Sequence, residues 1–259
     1  MTESDLATIR TVLGRSRQRV KVVDVAAGRV VVKRQRPRRG AWRERTLGVL
    51  ARALGLPLLQ PAPARGGAAA QATEAARLRT LAAAGVRVPE LLHVDPGFLV
   101  LEHLAGPSLV RLIEEGGPAA FDAWQRGLAA LADVHRRGGH LSHAFARNFI
   151  VTETGLATID FEDDPLEVMA LAEAQARDWL AYLHSTVWQL EREPAETGAA
   201  LARHLAAAPV QVGDRVRAAL ARLAVLRHLP RSRRALGREL AGAQALGRLA
   251  PLPVASPGG

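Results

Sequence analysis

The sequence has no cysteine, which excludes disulfide staples, a thiol nucleophile and thiolate metal sites together. Lysine is almost as scarce: of 35 basic side chains only Lys21 and Lys33 are lysines, so the net charge of +10 is carried by arginine. The arginines run along most of the chain rather than clustering, which favours a compositional origin, the mark of a GC-rich coding sequence, over a polyanion-binding face. One tyrosine and five phenylalanines are too few to build the stacking platforms that single strands need, so nucleic acid is not a favoured partner. No apolar run approaches the ~20 residues of a membrane span. The first residues, MTESDLATIR, are acidic and then polar, without the apolar core of a secretory signal. The expected location is cytoplasmic, or peripheral on the inner face of the membrane.

Against these absences stand 259 residues, 48% of them apolar, enough for one large domain or two lobes sharing an interface. Three strands are expected near the start, over Leu6–Leu13, Arg19–Val25 and Arg29–Gln35. The third carries a β-branched run, Val30-Val31-Val32, that ends in Lys33; the plain alternative is an edge-strand lysine that discourages aggregation. Residues 36–67 read as a basic insertion around a helix, Trp42–Leu54, with Leu47, Leu50 and Leu54 on one face. Such a helix either lies on an anionic membrane surface or packs on its own domain. Ala68–Ala84 is a strong helix stopped by Gly85, with Glu74, Leu78 and Leu81 on one face. Two strands are expected within His93–Leu104, around Asp95-Pro96-Gly97. A short helix follows over Leu109–Glu115, then a long one over Ala119–Arg137 with Phe121, Trp124, Leu128, Leu131 and His135 along one side. One helix is expected over Leu166–Leu190 and two or three more between Ala195 and Leu249; residues 250–259 read as a disordered tail.

The stretch that organises the chain is His135–Asp164. Phe149-Ile150-Val151 and Leu156–Ile159 are β-prone runs joined by Thr152-Glu153-Thr154-Gly155, with glycine placed for positive φ. A hairpin there makes neighbours of Asn148, which enters it, and Asp160, which leaves it. Two hard oxygen ligands side by side suit Mg²⁺, which takes few ligands from protein and the rest from water and phosphate.

The spacing of His135, position 143 and Asn148, followed by the hairpin and Asp160-Phe161-Glu162, resembles the catalytic and metal-binding loops of the protein-kinase-like phosphotransferases. Within that superfamily the pattern is most similar to the compact bacterial branch of lipopolysaccharide-core sugar kinases, aminoglycoside and choline kinases and RIO-type kinases. The chain departs from the pattern in one place: His143 stands where those enzymes carry the catalytic Asp.

The resemblance implies an α+β, two-lobed fold: an N-lobe over 1–104 with a small antiparallel sheet and one key helix, and a helical C-lobe over 105–249. It implies ATP and Mg²⁺ as cofactors. Lys33 would grip the phosphates, Glu74 would steady it, and Glu102 to Leu104 would form the hinge on the adenine edge. Asp160 and Asn148 would hold the metal, with Glu162 or Asp163 as additions. His135 would brace the loop and Asp178 would tie it by backbone hydrogen bonds. Gly14-Arg15-Ser16-Arg17 falls where a glycine-rich loop would cover the phosphates. His143 is the candidate base, His140 a second, and Arg147 a candidate for the γ-phosphate. The short segment after Asp160 favours a sugar, lipid-linked sugar or small alcohol as acceptor over a protein. Two other classes stay open: a nucleotide-binding pseudokinase that regulates a partner, and a basic membrane-surface or nucleic-acid binder.

Overall fold

Thr2 and Asp5 set the start of the structure. Thr2 Oγ1 accepts from the Asp5 amide at 3.2 Å and Asp5 Oδ2 accepts from the Thr2 amide at 3.0 Å, a reciprocal cap that opens helix α1, Glu3–Gly14. Leu6–Leu13 is therefore helical, not a strand. Its β-branched content suggested extension, but the cap and the spacing of Leu6, Ile9 and Leu13 on one buried face prevail. Asp5 Oδ1 also accepts from the Ala26 amide at 3.0 Å, fixing the helix to the first strand turn. The computed structural model describes residues 1–35, 58, 65–190, 192, 194–228 and 233–249. The expected helix Trp42–Leu54 and the tail 250–259 lie outside the described residues.

Strands β1, Val20–Val25, β2, Gly28–Arg34, β3, Leu91–Asp95, and β4, Phe98–Glu102, form an antiparallel sheet in the order β1-β2-β4-β3. Alternation sorts the side chains of this sheet. Val23, Val30, Val32, Phe98 and Val100 pack under α1 with Ile9 and Leu13. Val31, Lys33, Leu99 and Leu101 face the other way, and Lys33 sits opposite Leu99 in the ladder. Because β2 lies between β1 and β4, Lys33 belongs to an inner strand and the edge-strand alternative falls. Helix α2, Gly67–Ala83, lies against this second face and buries Glu74, Arg77, Leu78 and Leu81. Gly85, at φ 75°, ends it, and the Val86 amide returns to the Leu81 carbonyl at 2.9 Å.

The remainder is mainly helical. Helix α3, Leu109–Glu114, leads into α4, Gly117–Arg136, whose Trp124, Leu128 and Leu131 are fully buried. Against α4 packs α5, Leu171–Thr186, with Trp179, Tyr182 and Leu183. The two helices approach so closely that a Cβ on Gly127 would clash with the Tyr182 hydroxyl, which donates to the Trp124 carbonyl at 2.8 Å. Helices α6, Pro194–Ala206, α7, Val210–Leu223, and α8, Arg233–Arg248, complete the lobe. The single helix expected over Leu166–Leu190 is instead a 3₁₀ turn, Pro165–Glu167, then α5, then a second 3₁₀ turn, Val187–Gln189. Pro165 and the Asp164 cap start the first turn, and Glu173 accepting from the Ala170 amide at 2.9 Å starts a separate helix. The architecture is α+β, a small antiparallel sheet with its helices beside a helical lobe.

Candidate active site between the sheet and the helical lobe

Strands β5, Phe149–Thr152, and β6, Gly155–Thr158, pair as a hairpin with Gly155 at φ 128°. At its open end the Ile159 amide donates to the Asn148 carbonyl at 3.0 Å, so Asn148 and Asp160 flank the same last rung. Asp160 has φ 74°, a left-handed conformation costly for a residue with a Cβ and held only where the surroundings impose it. Lys33 supplies part of that constraint. Its Nζ lies 2.7 Å from Glu74 Oε1, 2.9 Å from Asp160 Oδ1 and 2.9 Å from Glu162 Oε1. A strand, a helix and a loop thus converge on one ammonium.

The charge pattern follows from burial. Desolvation alone would lower the Lys33 ammonium, but Glu74, Asp160 and Glu162 together hold it above its ordinary value. Burial pushes the Glu74 carboxyl up, with Lys33 opposing. For Asp160 and Glu162 burial also acts upward, yet Lys33 prevails and both stay below the usual carboxylate range. Glu162 accepts as well from Arg19, which lines the cavity at the start of β1.

That cavity, of about 370 Å³, lies between Val20, Val22 and Val31 of the sheet, Lys33 and Glu74, the connection Glu102-His103-Leu104, and Asn148, Ile150 and Asp160. The Glu102 side chain pairs with Arg87, 2.7 Å away, and Glu102, His103 and Leu104 form this stretch of the wall. Gly14-Arg15-Ser16-Arg17 is the end of α1 and its exit, not a turn between strands. No glycine-rich hairpin covers the cavity among the described residues.

His143 Nδ1 is 4.0 Å from Asp160 Oδ2 and its Nε2 is 3.3 Å from Asp163 Oδ2. Its Nδ1 is buried without a hydrogen-bond partner. The His143 carbonyl accepts from Asn148 Nδ2 at 2.9 Å, leaving the amide oxygen of Asn148 as its free ligand group. Among the described residues no three His, Asp or Glu side chains are grouped to hold a metal. The pair Asp160 and Asn148 nevertheless offers the kind of oxygen ligands taken by Mg²⁺, which needs few from protein.

His135 and Asp178 meet at 3.2 Å, both fully buried, and Asp178 Oδ2 accepts from the Leu141 amide at 2.6 Å. The remaining two candidates fall elsewhere. His140 does not line the cavity; it is engaged with Asp164 at 3.0 Å and with Arg77. Arg147 lies over the Phe145 ring at 4.3 Å and lines a second cavity of about 190 Å³ with Glu114, His184, Trp188 and Gln189. Sequence reasoning missed Arg19 and Arg77 as parts of the site. The signal for Arg77 was available: it stands one turn from Glu74 on the same helical face.

No protein-family model and no curated protein matches this chain. Among solved structures it is similar to LMAMPK10, a MAP kinase from Leishmania major, at 13% identity and a TM-score of 0.37. The similarity covers 88% of this chain and 66% of that kinase, so the chain spans less than two thirds of its length.

Proposed function

We propose that the chain is an ATP- and Mg²⁺-dependent phosphotransferase acting on a hydroxyl of a small molecule, sugar or lipid-linked sugar. The observation that carries this reading is Lys33, held at 2.7 Å by Glu74 and 2.9 Å by Asp160 at the edge of the 370 Å³ cavity. Phosphoryl transfer needs positioning and charge neutralisation more than covalent chemistry, and these residues supply both. Lys33 and Arg19 would meet phosphate oxygens, while the backbone of Glu102 to Leu104 would border the base. Asp160 and Asn148 would hold Mg²⁺, which when bound neutralises phosphate charge. The acceptor oxygen forms its bond to the γ-phosphorus as the bond to the β-bridging oxygen breaks, and ADP leaves. His143 orients the acceptor hydroxyl and takes its proton. Only the span from Asp160 to Leu171 separates the acidic cluster from α5, and Asp164 caps a turn within it. That brevity supports a small acceptor over a protein.

A specific observation supports the second reading, a nucleotide-binding pseudokinase: His143 lies between Asp160 and Asp163, where carboxylates compete for its nitrogens. No described helix is long and apolar enough to cross a membrane. Thermal stability with and without Mg·ATP, on the wild type and Lys33→Ala, is the first test. A magnesium-dependent stabilisation lost in the variant supports the nucleotide site, and release of labelled phosphate then separates the two readings. No shift at millimolar ATP sinks both.

A further inference from the structure

Arg77 has no part in the phosphate and metal contacts above, yet it is buried to 7% exposure on α2, one turn beyond Glu74. A guanidinium withdrawn from water must find acceptors and counter-charge or it destabilises the fold. Arg77 finds both across the cleft. Its Nη2 donates to the His140 carbonyl, its Nη1 lies 3.2 Å from Asp164 Oδ1, and its guanidinium stands 5.8 Å from the centre of the Phe161 ring. His140 Nε2 is close to Arg77 and 3.0 Å from the same Asp164 oxygen. One ring nitrogen cannot accept from Arg77 and donate to Asp164 together; given to Asp164, it leaves Arg77 the carbonyl and the carboxylate. The His140 bond, with burial opposing it, keeps the Asp164 carboxyl down at about 2, so this counter-charge persists at neutral pH.

The neighbouring residues are pinned from the other side. Gln175 donates to the Gly139 carbonyl at 2.8 Å and the Leu141 amide donates to Asp178 at 2.6 Å. Ser142 then adopts φ 70°, and His143 follows with its ring between Asp160 and Asp163. A serine stays in that region only where its flanks are over-determined.

We propose that Arg77 is a positioning residue: it holds His140 from α2 while Asp178 holds Leu141 from α5, and the two together impose the turn at Ser142 that places His143 between Asp160 and Asp163. The helix that carries Glu74 and the loop that carries His143 are thereby one unit. The kinetic part of the test rests on the phosphotransfer reading; the exchange part does not.

Arg77→Met keeps the bulk and removes the donors, and Arg77→Lys keeps the charge without the fork. In nucleotide-free protein, amides 139–148 are expected to exchange at least about tenfold faster in Arg77→Met while α4 and α5 keep their protection. Unchanged exchange there, or a uniform loss through both lobes, overturns the proposal. In turnover of Mg·ATP, kcat is expected to fall about tenfold or more with the nucleotide KM moving less than about threefold, and Arg77→Lys to recover part of it. A raised KM with kcat intact places the effect on Glu74 and Lys33 and overturns the positioning role. Should the wild type turn over no nucleotide, phosphotransfer falls and the exchange result still decides the role of Arg77. If Arg77→Met does not fold, Asp164→Asn, at the end of the pair with 28% side-chain exposure, takes its place with the same expectations.

Discussion

Glu162 Oε1 lies 2.9 Å from Lys33 Nζ, and the same carboxylate accepts from Arg19. With 4% of its surface exposed, Glu162 occupies the place between two cations that a phosphate would use. Replacing it by Gln keeps the shape and removes one charge. Without metal, ADP is expected to bind about threefold to tenfold more tightly to Glu162→Gln, read by titration calorimetry. Equal or weaker binding would show that Glu162 does not compete with phosphate.

Lys33→Met leaves Glu74 buried beside no cation, and removing one partner of a buried pair costs about 3 kcal/mol. Burial already raises the Glu74 carboxyl, and loss of Lys33 raises it further. A carboxyl raised in the folded state contributes stability below its unfolded value, and that contribution is lost as pH rises through the folded value. Denaturant melts should therefore show the deficit of Lys33→Met shrinking from pH 8 towards about pH 5. A deficit independent of pH would mean that Glu74 is not the group left stranded.

Asp160→Asn separates the metal role from the backbone. Asn tolerates φ near 74° almost as Asp does, so the turn survives while a hard anionic ligand is lost. The magnesium-dependent part of the ATP thermal shift is expected to disappear, while the ligand-free protein still melts in one cooperative transition. A persisting magnesium response would remove Asp160 from the metal site.

The residues that local pattern reveals are those whose structure is locally determined. Thr152–Gly155 specifies a tight turn whatever surrounds it, so the hairpin, and with it the approach of Asn148 to Asp160, was legible. The α+β class followed from the resemblance that this same stretch carries. The first helix was misread because Thr8, Ile9, Thr11 and Val12 weigh towards a strand, whereas Thr2 and Asp5 cap a helix. Arg19 and Arg77 escaped for another reason: Arg19 pairs with a residue 143 positions away and Arg77 with one 63 away. Neither partner can be read from spacing; for Arg77 the sequence shows only its place one turn from Glu74 on the same helical face.

His143 invites the obvious repair, His143→Asp, which restores the residue of the resembled enzymes. The surroundings argue against it. His143 Nε2 lies 3.3 Å from Asp163 and its Nδ1 4.0 Å from Asp160, so an aspartate there would face two like charges in a half-buried site. His143→Asp is expected to lower stability by about 1–2 kcal/mol and to leave turnover no higher than the parent. His143→Ala is expected to lower turnover about tenfold to a hundredfold with nucleotide affinity little changed, because the loose transition state needs orientation more than proton abstraction. The double variant His143→Asp, Asp163→Asn removes the repulsion. If it outpaces the parent, Asp163 is the reason a histidine stands at 143; if His143→Ala turns over as fast as the parent, the imidazole is neither base nor orienting group.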